Sequence, residues 1–546
     1  GAPADAGGVV PAALLGWRDM NGTMAMLRLD LRRDRWLLPA WLLGLVLVVV
    51  SSAAATRDVY PDKASLATAA ETLNATGALV ALYGKVYDPT SLGAISLIKL
   101  TAFGAAIVAI LFVFIAVRHT RSDEESGRME LLAGGAVGRF APLGAALIEG
   151  TAASLVLGAG CALGLGLVGL PWSGAGAFGA GWAATGIVFT AVGVAAAQLT
   201  VSARAALGLG LAVVGVAYVL RALGDLGAAD PGWESWLSPI GWSQQLRPFA
   251  GDRWWVLVLP LLATAVVVPA TFALRAHRDF GAGYLPDRPG PANGRMGSAL
   301  ALAWRLQRGV LVAWLVGGVL MGLVLGSIAH SVTGMLDSPQ MRRYVELLGG
   351  EQGLTDAFLA AEVGILGAIV AAYGVAAVLR MSAEEGAGRA EEVLATAVSR
   401  FCWAGGHLVV GIVGVVAILL ATGAAMGLAH GLATGDPLGQ AARLTVAAAG
   451  QIPAALVITG LTFLLFGLAP RWTGAGWGLL VAFVALGEFG SLWQLPRWVL
   501  DLSPFAHSPQ LPGGDAARGA LVGLTLVAMA LLVAGLMFWR RRDVRG

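Results

Sequence analysis

The amino-acid sequence predicts an all-α polytopic membrane protein, with twelve transmembrane helices in two parallel six-helix repeats. Composition is the first observation behind this. Of 546 residues, 57% are hydrophobic and 13% charged, whereas a soluble domain carries roughly a quarter of its residues as charges. Mean hydropathy is +0.76, which excludes a soluble globular enzyme. The second observation is the length of the apolar stretches, since crossing a bilayer takes about 20 mostly apolar residues. The third is internal repetition, which sets the architecture.

The chain opens with a Gly/Ala/Pro-rich segment, Gly1 to Gly22. It lacks the charged-then-apolar pattern of a cleavable signal peptide. From Met24, Leu27 and Leu31 fall on one helical face and Arg28, Arg32 and Arg35 on the other. That spacing predicts an amphipathic helix at the membrane interface, so 1–35 forms a cytoplasmic N-terminal segment. The first repeat, 36–280, holds spans at 36–55, 94–117, 142–170, 177–200, 206–224 and 253–274. Residues 281–308 combine a Pro/Gly-rich linker, Gly281 to Gly297, with a second connecting helix bearing Trp304, Arg305 and Arg308. The second repeat, 309–546, holds spans at 309–329, 357–379, 404–433, 442–468, 474–492 and 517–539. Basic residues gather in the N-terminal flank, in the loops that share its side of the membrane and in the C-terminal tail, which predicts both termini in the cytoplasm.

The repeats match at four places in the same order. Arg32, Arg35, Ala40, Trp41, Leu42 and Gly44 return as Arg305, Arg308, Ala313, Trp314, Leu315 and Gly317. Two charged segments, 122–130 and 383–391, follow the second span of each half and close on Val137–Phe140 and Val398–Phe401. Leu237-Ser238-Pro239 matches Leu502-Ser503-Pro504, and the halves end on Arg278-Asp279 and Arg542-Asp543. In the charged segments, Ser122 with Glu125 and Ser382 with Glu385 fit the S-x-x-E capping box that opens a helix. Glu124 with Arg128 and Glu385 with Arg389 stand at i,i+4 with the acid first, the favourable order. Each half is therefore expected to place a short charged helix in an inner loop. Before the last span of each half, Trp233, Trp236, Pro239, Trp242 and Trp493, Pro496, Trp498, Pro504 predict an interfacial belt or short broken helices.

Several chemistries have no motif. There is no G-x-x-x-x-G-K-[ST] phosphate loop and no H-E-x-x-H. The six histidines are scattered, and Cys161 and Cys402 lie far apart. No catalytic centre, bound cofactor or metal is expected, and a net charge of only +3 gives no sign of a nucleic-acid partner. Charged residues in or near spans are Lys99, Glu149, Glu362 and Glu488, which are functional suspects by their cost. Lys99, Glu362 and Glu488 sit near span ends, where snorkelling is the plainer account. Glu149 is deeper, and its partner is not readable.

These motifs carry a resemblance over essentially the whole chain. Leu27-Arg28-Leu29, Val117-Arg118-His119-Thr120-Arg121, Glu125-x-Gly127-Arg128-x-Glu130, Gly241-Trp242, Arg247-Pro248-Phe249 and Leu502-Ser503-Pro504-Phe505-Ala506-His507 together resemble the twelve-span ABC transporter permeases of actinobacteria that export polyketide antibiotics, including the tetronasin-type permeases. The resemblance implies the type-2 ABC exporter fold in a bacterial cytoplasmic membrane, with a separate ATPase subunit binding ATP and Mg. Two ATPase copies are expected to dock on Glu124, Glu125, Gly127, Arg128, Glu130 and Arg139, and on Glu384, Glu385, Gly388, Arg389, Glu391 and Arg400. By the same analogy the second and fifth spans line the path of a hydrophobic substrate, with Phe103, Phe112, Phe114, Tyr218 and Phe483 offering aromatic surface. The expected activity is multidrug or antibiotic efflux conferring resistance. A proton- or ion-driven carrier is the alternative, since it also uses parallel six-span halves; an enzyme on lipid-linked substrates would need paired carboxylates at a span end.

Overall fold

The computed structural model describes residues 19–60, 62–75, 77–133, 137–226, 231–279, 281–285, 297–333, 350–489, 496–514 and 518–543. It divides into two compact units, Gly1–Gly290 and Pro291–Gly546. Among the described residues the regular elements are helices; the only β-type pairing there is a single bridge between Thr200 and Leu285. Among the described residues, eleven helices are long and apolar enough to cross a membrane. In the first unit they are Leu37–Arg57, Leu100–Glu125, Ala141–Leu167, Trp172–Leu199, Ala203–Leu226 and Trp254–His277. In the second they are Ala299–Ser327, Phe358–Gly386, Arg400–Thr434, Pro437–Leu468 and Arg518–Arg541. Within the expected span at 474–492 the described residues form a helix, Ala475–Phe489; residues 490–495 lie outside the described residues.

Proline explains two local departures. The amphipathic helix Thr23–Arg33 stops before the first span because Pro39 lacks an N–H and its ring crowds the carbonyl four residues back. Val312 stands at the matched place in the second unit. There a single helix, Ala299–Thr333, carries Trp304, Arg305 and Arg308 without a break, so no separate second connecting helix exists. The segment Pro437–Leu468 is two helices, Pro437–Ala449 and Ile452–Leu468, because Pro453 cannot donate back to Ala449.

Small residues set the helix spacing, as is usual where lipid removes the hydrophobic drive for helix association. Gly158 and Gly179 face each other across Ala141–Leu167 and Trp172–Leu199, and a Cβ on either would strike the other's carbonyl oxygen. Gly467 meets the carbonyl of Gly535 in the second unit in the same way. The core of the first unit gathers Phe112, Phe178, Trp182 and Phe189; that of the second gathers Val370, Tyr373, Val415 and Ile458.

Candidate coupling site at the charged turns

In both units the charged segment forms a sharp turn locked to the end of the last span. In the first, Arg121–Glu125 is followed by Gly127 with φ +71 and then Arg128–Ala133. In the second, the span helix runs on to Gly386, Gly388 takes φ +74, and Arg389–Leu394 follows. The left-handed glycine is what the sequence supplies for a reversal without Cβ strain.

The expected capping boxes do not form. Thr120, not Ser122, precedes the first helix and makes no side-chain cap. Ser382 lies inside the long helix Gly350–Gly386, because Ala383, Glu384 and Glu385 are good helix formers and nothing stops them. The expected i,i+4 pairs are also corrected. The turn at Gly127 or Gly388 falls between the partners, so the acid and the arginine no longer share a helix face. Instead Glu124 pairs with Arg278, whose Nη2 reaches both carboxylate oxygens at 2.7 Å, and Glu385 takes a two-nitrogen fork from Arg542 at 2.7 and 2.6 Å. Arg128 pairs with Asp123 at 3.2 Å, and Arg389 with Glu384 at 2.7 Å. Arg139 donates to the carbonyl of Arg278 at 2.9 Å, and Arg400 to that of Arg542. The same three contacts thus recur with matched residues.

Further ties differ between the units. Arg121, fully enclosed, donates to the carbonyls of Ala197 at 2.9 Å and Ala282 at 2.8 Å. Glu124 also accepts from the backbone N–H of Gly281 at 2.8 Å, and Glu125 from that of Ala203 at 2.7 Å. In the second unit Arg380 pairs with Glu384 at 2.5 Å, and Arg542 lies over the rings of Trp539 and Phe466 at 4.6 and 5.1 Å. The Arg389 pKa is raised because Glu384 accepts its hydrogen bond, and Arg33 is raised by Asp123 in the same way. Exposed charged side chains of the turns include Glu125, Arg128, Glu130, Arg139, Arg389, Glu391 and Glu392; Glu124, Glu384 and Glu385 are committed inward.

The remaining predicted residues scatter. Phe112 is wholly enclosed and packs on Gly186, so it offers nothing to a ligand. Phe103 and Phe114 are exposed. Tyr218 donates to the carbonyl of Leu82 and lies under Arg221, 4.4 Å from its ring. Phe483 is half-buried, and its carbonyl accepts from Ser503 at 2.9 Å, as that of Ala217 accepts from Ser238 at 2.6 Å. An apolar groove of about 340 Å³ opens in the second unit, lined by Trp314, Gly318, Met321, Ile369, Ile418 and Thr422; none of these was predicted. Lys99 is exposed with its amine 5.7 Å from the Tyr83 ring, Glu362 is half-buried, and the Glu488 side chain lies outside the described residues. Glu149 is buried beside His119, Asp30 and Asp34, a cluster whose chemistry could hold a metal and which sequence reasoning missed because its members come from three separate elements.

The family described as "Multidrug efflux system permease Rv1217c, C-terminal domain" matches residues 25–275 and 296–540. The "Multidrug efflux system permease protein Rv1217c" of Mycobacterium tuberculosis (strain ATCC 25618 / H37Rv) is 45% identical over 529 residues, which cover 96% of each chain. A solved outward-facing MATE family multidrug resistance transporter of the MOP superfamily covers 91% of this chain and 94% of its own at 14% identity, but its TM-score of 0.27 carries no argument. With eleven apolar helices and a relative this close along its whole length, the chain is a multi-pass membrane protein that belongs to the multidrug efflux system permease Rv1217c family.

Proposed function

We propose that the chain is the transmembrane permease subunit of an ATP-driven exporter of the type-2 ABC class. It moves amphiphilic small molecules, of polyketide-antibiotic or multidrug type, out of a bacterial cell, and two copies of a separate ATPase subunit bind the ATP and Mg that drive it. The chain itself is a tandem pair of parallel six-span repeats and catalyses nothing. The observation that carries this reading is the repeated lock, Glu124–Arg278 and Glu385–Arg542 with Arg139 and Arg400 bonded to the same arginines. The two-part family match, 25–275 and 296–540, supports the repeat.

The lock suits a coupling role mechanically. A buried, charge-assisted arginine–carboxylate contact is strong and directional, so a push on the exposed face of either turn is passed to the foot of a distant span rather than absorbed locally. A carrier driven by an ion gradient needs no such docking face. The test is affinity purification of the tagged chain from its native membrane, followed by native mass spectrometry. One chain with two ATPase subunits, and transport that stops when ATP is withheld, is the expected result. A chain that purifies alone and transports in vesicles on a proton or sodium gradient without ATP would overturn the reading.

A further inference from the structure

We propose that Asp30, His119 and Glu149 in the first unit form a binding site for one divalent transition-metal ion, zinc in the first instance, supported from behind by Asp34 and Arg118. The three residues come from the amphipathic helix, the end of the second span helix and the third span. All are enclosed, at 0%, 0% and 1% exposure, and one ligand atom from each lies within 4.8 Å of the other two.

Which atoms are satisfied points to an ion. His119 Nε2 lies 2.8 Å from Asp34 Oδ2 and 3.7 Å from Glu149 Oε2; a carboxylate only accepts, so Nε2 carries a proton, and the neutral tautomer that a metal ligand requires leaves the Nδ1 lone pair facing Asp30. That Nδ1 sits 3.2 Å from Asp30 Oδ1 without the alignment of a hydrogen bond. Both carboxylate oxygens of Asp30 and both of Glu149 likewise lack a hydrogen-bond partner. Buried polar atoms are seldom left so, and here the orphans are the atoms that would ligate. Ligands on one ion stand side by side, about 3 to 3.5 Å apart for bonds near 2.1 Å; the Asp30–His119 separation of 3.2 Å fits, and Glu149, within 4.8 Å of both, would close in on the ion by a change of side-chain rotamer. A ligating histidine usually donates its other N–H to a carboxylate; Asp34 fills that place and is itself held by Arg118 at 3.1 Å.

Charge agrees. Asp30, Asp34 and Glu149 are faced by Arg118 and by Arg33, which is 3.9 Å from Asp30 but committed to Asp123 at 2.5 Å. With His119 neutral, the enclosed carboxylates exceed the fixed cations, a costly state that a proton on His119 or a divalent ion in its place relieves. One imidazole and two carboxylates suit zinc, manganese, iron or cobalt better than calcium or magnesium. The site is single: the matched positions in the second unit are Ala303, Gln307, Arg380 and Val410, and there Gln307 bonds His407 at 3.0 Å. Its effect would be to pin the amphipathic helix to the feet of two spans.

The experiment uses the full chain in detergent, stripped with a chelator and titrated with Co²⁺, whose visible absorption reports ligand geometry, and then with Zn²⁺ as competitor. One equivalent per chain should bind and be displaced by zinc. Glu149→Gln, which keeps shape, and His119→Ala should each weaken binding by about 100-fold or more, and Asp34→Asn by about 10- to 100-fold, with helix content and elution volume unchanged for Glu149→Gln. No binding of either ion by the wild-type chain at micromolar concentration, or binding by Glu149→Gln and His119→Ala equal to wild type, would overturn the proposal.

Discussion

Glu124 and Arg128 stand four residues apart, yet substituting them should have unequal effects. Glu124→Gln leaves Arg278, 4% exposed, without its carboxylate partner, and breaking an enclosed charge pair from one side costs about 3–5 kcal/mol. Arg128 is 61% exposed at its side chain, so Arg128→Ala should cost under about 1 kcal/mol. Thermal unfolding of the two variants in detergent should separate them by many degrees, and equal midpoints would contradict the assignment of Arg278 to Glu124. Little of this was legible locally. The pair spans 154 residues and its counterpart, Glu385–Arg542, spans 157; the trace in the sequence was the repeated Arg-Asp ending of each half, which carried no hint of a partner. Asp30 and Asp34 were harder still, because on an amphipathic helix an acid facing inward reads like one facing water.

At the scale of elements, periodicity and length placed most of the spans, because a bilayer imposes a minimum run of apolar residues whatever the tertiary packing. The misses have local causes: Pro453 breaks a helix that hydropathy alone runs together, Val312 in the place of Pro39 lets the second connecting helix run into its span, and Ser382 joins a helix it was expected to open. The turns offer a direct check. Gly127→Ala and Gly388→Ala place a Cβ on a left-handed residue with open space around it, so strain rather than collision is added, about 1–2 kcal/mol each. Asparagine at either position should recover part of that loss, since it tolerates the conformation best among side chains. Gly158→Val is different in kind: its side chain would meet the backbone of Gly179, and the expected result is a chain recovered from membranes at a small fraction of the wild-type yield. Wild-type yield and melting behaviour in Gly158→Val would mean these two helices do not pack through that point.

At the scale of the whole chain, two routes are open to test. The exposed residues of the turns, rather than Glu124 and Glu385, should govern partner binding. Reversing Arg128 with Glu130, or Arg389 with Glu391, is expected to reduce ATPase co-purification several-fold while leaving the unfolding midpoint within a degree or two of wild type. The groove of about 340 Å³ around Trp314 and Met321 has the size and apolar lining of a small-molecule site; Trp314→Ala should raise drug sensitivity of cells expressing the variant, and unchanged sensitivity at equal expression would remove it from the substrate path. The first turn is anchored through Glu124, Glu125 and Arg121 to the ends of its fourth, fifth and sixth spans. Ser382 and Gly386 occupy the places of Arg121 and Glu125 in the second unit, and neither can reproduce those ties. Among the described residues the first turn thus has two backbone ties to neighbouring spans that the second lacks, and levers mounted differently do not move alike under an equal push. On the proposed reading, two identical motors docked on these turns would work against mountings of unequal stiffness.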